Sequence, residues 1–156
     1  MKRAIRLLVL SVAVTAAALA GVQQFEPAAG ARTSPRLPSG LVGTWDSAEG
    51  AAEILYVFKA DGTYKHAGVL LQERPGGLFT FKIGARGTVT VRGRSLILHP
   101  RSGTESLHDP DNESSDYRRP ISTAPERYRW SMTGYGRSAR LTLTDQTGNA
   151  VTYHRL

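Results

Sequence analysis

The chain has 156 residues, of which 40% are hydrophobic and 21% charged, with 20 Lys and Arg against 13 Asp and Glu, a formal net charge of +7 and no cysteine. That length suffices for one core and is too short for two. The lack of cysteine excludes a disulfide framework, a thiol nucleophile and a lipid-modified cysteine, so stability has to come from packing and backbone hydrogen bonds.

Met1 to Arg6 is basic, residues 7–20 carry no charge, and Ala18-Leu19-Ala20 ends this stretch as an A-x-A cleavage site. This is the layout of a secretory signal peptide cleaved after Ala20, and it implies a secreted or periplasmic protein. The uncharged stretch is 14 residues long, short of the ~20 a membrane-crossing helix needs, so no stable membrane anchor is expected after cleavage. Without Lys2, Arg3 and Arg6, 17 basic residues face 13 acidic ones and the net charge falls to +4. The remaining basic residues are spread over strands and turns, with no basic stripe interleaved with exposed aromatics, so no nucleic-acid partner is expected. Residues 21–40 are rich in Ala, Pro and Gly, and Pro27, Pro35 and Pro38 forbid a regular helix. They read as a flexible spacer leading to one domain, residues 41–156.

From there the apolar residues repeat with a period of two, which places alternate side chains on opposite faces of a strand. A short strand at Thr44-Trp45 comes first. Residues 53–60 put Ile54, Tyr56 and Phe58 on one face. Asp61-Gly62 follows, between two runs rich in aromatic and β-branched residues, and predicts a tight primed hairpin turn. Residues 63–72 are ambiguous, because Val69, Leu70 and Leu71 run together. Residues 78–84 align Phe79, Phe81 and Ile83, and residues 88–92 align Val89 and Val91. Gly93-Arg94 reads as a two-residue turn into 95–99, with Leu96 and Leu98 inward. Residues 126–133 align Tyr128, Trp130 and Met132, 139–145 align Leu141 and Leu143, and 149–155 align Val151 and Tyr153. About nine strands at this spacing, mostly joined by short turns, predict an all-β, antiparallel up-and-down meander. Closure into a barrel of about 8–9 strands, with little or no helix, would remove its edges. The exception is residues 100–125, bounded by Pro100 and by Pro120 and Pro125. This segment reads as a long polar loop at one end of the barrel, placed to act as a lid.

Gly43-Thr44-Trp45, then Phe58-x-x-Asp61-Gly62-Thr63-Tyr64, then a meander ending in Tyr153-His154-Arg155, resembles the bacterial secreted lipocalin-like domains of the calycin superfamily. The resemblance spans residues 41–156. It implies that Trp45 closes one barrel end and that Arg155, on the last strand, packs across it in a cation–π contact. Two features of lipocalins proper, a T-D-Y motif between the middle strands and a C-terminal helix, are missing. The two helices that fatty-acid-binding proteins insert after their first strand have no room either.

Candidate sites are few. Asp109, Asp111, Asn112, Glu113 and Asp116 are spaced like a calcium loop, but Ser114 and Pro120 stand where an EF-hand needs Gly and Glu. His66, His99, His108 and His154 form no i, i+4 pair and no H-E-x-x-H motif, so neither metal nor cofactor is expected. No G-x-S-x-G elbow exists, and the acidic residues fall in turns and loop. No catalytic residue is singled out, and an enzyme is not expected. The aromatic set Tyr56, Phe58, Phe79, Phe81, Tyr128, Trp130 and Tyr153 either lines a ligand cavity or fills the core. The first alternative makes the protein a secreted, non-enzymatic binder of a small hydrophobic ligand. The second makes it a protein-interaction module with a filled barrel, such as an inhibitor of a secreted protease.

Overall fold

A computed structural model of the chain describes residues 36–156. The expected signal peptide at 1–20, its cleavage site and the spacer as far as residue 35 lie outside them. Nine strands follow in order: β1 (Gly43–Glu49), β2 (Ala52–Phe58), β3 (Thr63–Arg74), β4 (Gly77–Arg92), β5 (Ser95–His108), β6 (Tyr117–Pro120), β7 (Glu126–Thr133), β8 (Arg140–Thr144) and β9 (Ala150–Arg155). The only helical pieces among the described residues are single 3-10 turns at Glu113–Ser115 and Gly136–Ser138. Every pairing is antiparallel. β1 to β5 pair in sequence, β5 pairs with β7, and β7, β8 and β9 continue the meander. β9 then pairs with β1 through Trp45 opposite Arg155 and Asp46 opposite His154, which closes an eight-stranded barrel. β6 is a ninth strand outside the ring, paired to the far half of β5.

The barrel interior is built from the alternation read in the sequence. Leu41, Trp45, Phe58, Leu96, Leu98 and Leu141 are almost wholly shielded from solvent, and Tyr56, Tyr64, Val89, Leu143 and Tyr153 join them. Packing starts ahead of the boundary expected at residue 41: Leu37 is buried in the same cluster, and a turn from Pro38 O to Leu41 N brings the chain in. The Trp45 indole Nε1 donates to Leu41 O at 2.9 Å. The Arg155 guanidinium lies 5.2 Å from the Trp45 ring centre and donates to Val42 O. Gly43 sits at φ 145, and a Cβ there would press on that guanidinium, so the first residue of Gly43-Thr44-Trp45 makes room for the last strand.

Two expectations need correction, and one ambiguity is settled. The Asp61-Gly62 turn is not a two-residue primed turn. Residues 59–62 separate β2 from β3, Gly62 alone is at positive φ, and its N–H donates to Lys59 O. Asp61 fixes this turn by accepting from both the N–H and the hydroxyl of Thr63. Residues 63–72 belong to one long strand, and Val69-Leu70-Leu71 lies where neither face is deeply buried, so no alternation is imposed there.

The second correction is the segment 100–125, half of which is strand. β5 continues to His108 against β4, turns through residues 109–116 and returns as β6. The sequence hid this because the alternating residues are Ser102, Thr104 and Ser106, which carry no apolar signal. Pro100 sits beside a register shift at Arg86/Gly87, where a missing N–H is tolerated. The turn is held by its own acidic residues. Asp109 pairs with Arg74 at 2.8 Å, Asp111 accepts Gly76 N–H at 2.7 Å, and Asp116 accepts from Asp109 N–H and His108 Nδ1.

If Trp45 and Leu37 are packed in the core as described, truncating either should lower the urea midpoint without changing its slope. Trp45→Ala should cost about 3–5 kcal/mol and Leu37→Ala about 2 kcal/mol. An unchanged midpoint for Leu37→Ala would show that the chain ahead of β1 contributes nothing to folding.

Candidate functional site

Of the seven aromatics singled out in the sequence, the structure gathers five inside the barrel and leaves two outside it. Tyr56 stacks on Phe58 with ring centres 5.5 Å apart, and meets Tyr153 edge-on at 5.4 Å. Tyr128 and Trp130 are half-buried and pack on this cluster. The Tyr128 hydroxyl donates to Glu126 Oε2 at 2.9 Å and Trp130 Nε1 to Gly93 O at 3.0 Å. Phe79 and Phe81 lie on the far half of β4, beyond the barrel. Phe79 is buried there under the Arg74 guanidinium, 3.9 Å from its ring centre.

The interior contains one group the sequence left undecided. His66 on β3 faces inward, opposite Tyr56, and its ring stacks on the Tyr56 ring at 4.4 Å with 7° between planes. Burial pushes its pKa down to about 4. Burial likewise raises the pKa values of Tyr56, Tyr64, Tyr128 and Tyr153 above the ordinary range. These groups are therefore neutral near pH 7. They can exchange hydrogen bonds, but the imidazole is a weak proton acceptor and the phenols are poor acids. The other histidines lie elsewhere: His108 is raised by its bond to Asp116, while His99 contacts Thr90 at 3.4 Å. Among the described residues, no three metal-ligating side chains come together.

A large concavity lies on the other face of the sheet. It measures about 1030 Å³, and none of the seven aromatics lines it. The register explains its composition, because residues directly paired across antiparallel strands share a face. Eleven of its fifteen lining residues fall in three rows that cross β2 to β6 on the outside, and the other four, His66, Ile83, Ala85 and Gly103, have the opposite parity and lie between those rows. One row is Val57, Lys65, Arg86 and Ser102, and the next is Leu55, Ala67, Gly84 and Thr104. The third is Lys82, Ser106 and Arg118. The middle row makes the depression: Ala67 is small, and a Cβ added to Gly84 would meet open space. The floor there is Leu55, backed by Val57. Lys65, Lys82, Arg86 and Arg118 are exposed around it, and none forms an ion pair among the described residues. Arg86 Nε donates to Ser102 Oγ at 2.7 Å, which ties that guanidinium to its cross-strand partner on β5. No carboxylate lines the trough. Asp46 and Glu53 share its rows but sit on the β1 and β2 side, outside the lining. Cations of one sign around a concave surface reinforce one another's field and draw in anions.

Sequence reasoning missed this site. Lys65, Lys82, Arg86 and Arg118 come from three strands, and only the pairing register brings them together. The available signal was weak: Lys82 lies on the polar face of an expected strand, but nothing in the sequence says which residue it faces. No family model, no curated protein and no solved structure matches this chain.

His66 provides a check on the packed interior. Its folded pKa is depressed below the unfolded value, so unfolding takes up a proton as the pH falls from about 6.5 to about 4. The stability contributed by neutral His66 is full above that window and lost through it, about 2–3 kcal/mol in all. The difference in unfolding free energy between wild type and His66→Phe should therefore change by that amount between neutral pH and pH 4. A constant difference would place the imidazole in contact with water.

Proposed function

We propose that the chain is an exported, non-catalytic binding protein that recognises its partner with the outer face of the sheet, around a filled barrel. The observation that carries this reading is the location of the concavity: it lies outside, while the inward aromatics contact one another. This favours the interaction module over a carrier of an internal apolar ligand. Kinship with secreted lipocalin-like domains is supported by the closed eight-stranded ring and by Arg155 set across Trp45 beside Gly43. Export is supported by the basic start, the uncharged stretch and Ala18-Leu19-Ala20. A non-catalytic role is supported by neutral tyrosines and a weakly basic His66 in the interior, and by unpaired cations with no carboxylate among them in the trough.

The lack of cysteine makes the test clean, since a single introduced thiol is the only one to label. A photo-cross-linker attached to Thr104→Cys, in the trough, should give a discrete adduct when the protein is incubated with the culture that produces it. The same label on Thr142→Cys, outward on β8, should not. Native mass spectrometry of the protein should give the mass of the bare chain. An apolar adduct on the purified protein, or equal labelling from both positions, would overturn the proposal.

A further inference from the structure

The placement of charge within the trough points to the chemistry of its occupant. Lys65 and Arg86 are direct cross-strand partners at one end of it. Lys82 and Arg118 mark the other end, both paired with Ser106 from opposite sides. Lys82 and Arg86 are four residues apart on one strand, which is about 13 Å at ~3.3 Å per residue. Between them lies the uncharged row Leu55, Ala67, Gly84 and Thr104. The site therefore offers two cationic poles separated by an apolar, small-residue floor.

We infer that the trough binds an acidic segment of a partner protein in extended conformation, with carboxylates at positions i and i+4 and an apolar side chain between them. An extended segment repeats at the same rise as the strand beneath it, so acids four residues apart reach both poles. In such a segment i, i+2 and i+4 share one face, and the apolar residue at i+2 then meets Leu55 and the space over Gly84. A volume of about 1030 Å³ accommodates several residues of such a chain. The one aromatic ring in the lining, the His66 imidazole, is already stacked on Tyr56 and is not presented for a nucleic-acid base to stack on. The hydroxyls of Ser102, Thr104 and Ser106 are free to bond the segment's backbone, apart from the Ser102 Oγ that accepts from Arg86. This inference rests on the outer face being the recognition surface.

The probe is a dye-labelled pentapeptide, Glu-Ser-Leu-Ser-Glu, capped at both ends and titrated by fluorescence anisotropy at low salt. It should bind more tightly than its Gln-for-Glu counterpart and than Ser-Leu-Ser-Glu-Glu, which has equal charge but adjacent acids. Binding should weaken as salt rises. Lys82→Glu with Arg86→Glu should reduce affinity on the order of tenfold or more, because two surface ion pairs are lost and replaced by repulsion. Near-ultraviolet circular dichroism would confirm that the variant keeps its packing. Equal binding by the neutral peptide, by the adjacent-acid peptide or by an oligothymidylate would overturn the inference. So would a small dicarboxylate competing as well as the peptide. Ala67→Trp, which fills the floor without changing charge, separates this failure from that of the underlying reading. If it abolishes cross-linking from position 104 while the charge reversals do not, the surface is right and the acidic segment is wrong. If it leaves cross-linking intact, the outer-face reading itself fails.

Discussion

Three strands are longer than the ring they help to close, and the rest of the structure follows from that. β3, β4 and β5 have 12, 16 and 14 residues, whereas the other five strands of the ring have 5 to 8. β2 engages β3 only as far as Leu70, and β7 engages β5 only over Ser95 to Leu98. Beyond those points the backbone groups of the long strands still need partners, since a strand with unpaired N–H and C=O groups invites pairing with another chain. They find them in each other and in β6, which covers the far half of β5. The new edge is blunted in turn: β6 carries Arg118, Arg119 and Pro120 and is only four residues long.

This extension sets the shape and the charge of the outer surface. Inside the ring, Tyr56 stacks on Phe58 and meets Tyr153 edge-on, and the buried side chains form one cluster. Outside the ring, the small residues Ala67 and Gly84 fall in one row, and the lysines and arginines fall in the rows on either side. A depression with charged flanks results from the alternation itself. The face turned away from the core receives the polar residues, and antiparallel pairing lines them up across strands.

How far the sequence disclosed this depends on whether burial enforces a pattern. β2, β7, β8 and β9 each have one face against the core, so Tyr56 and Phe58, Tyr128 and Trp130, Leu141 and Leu143, and Val151 and Tyr153 announced their strands by alternation. The far half of β5 has no such obligation. Its Ser102, Thr104 and Ser106 face solvent and Glu105 is matched to Arg119 across the pair at 2.5 Å, so its strand character comes from backbone pairing that composition does not reveal. The trough was less legible still. Lys65, Lys82, Arg86 and Arg118 become neighbours through three successive registers, and a slip of one residue in any of them would turn a whole row to the other face.

The register is held where it matters most by contacts that look incidental in the sequence. Arg74, at the end of β3, lies over Phe79 and is paired to Asp109 at the end of β5, with the Asp109 side chain only 14% exposed. Asp111 takes the N–H of Gly76 in the turn between β3 and β4. The two hairpins of the extension are thus tied together at their tips, and the Arg86/Gly87 shift sits where they enter the barrel. A ribbon fixed at both ends presents Lys82 and Arg86 at a constant separation. In the proposed complex the backbone beneath them would need no ordering on binding, so that part of the entropy cost would already have been met in folding. The acidic residues that resembled a calcium loop therefore serve the cationic surface indirectly, by holding the strands that carry it.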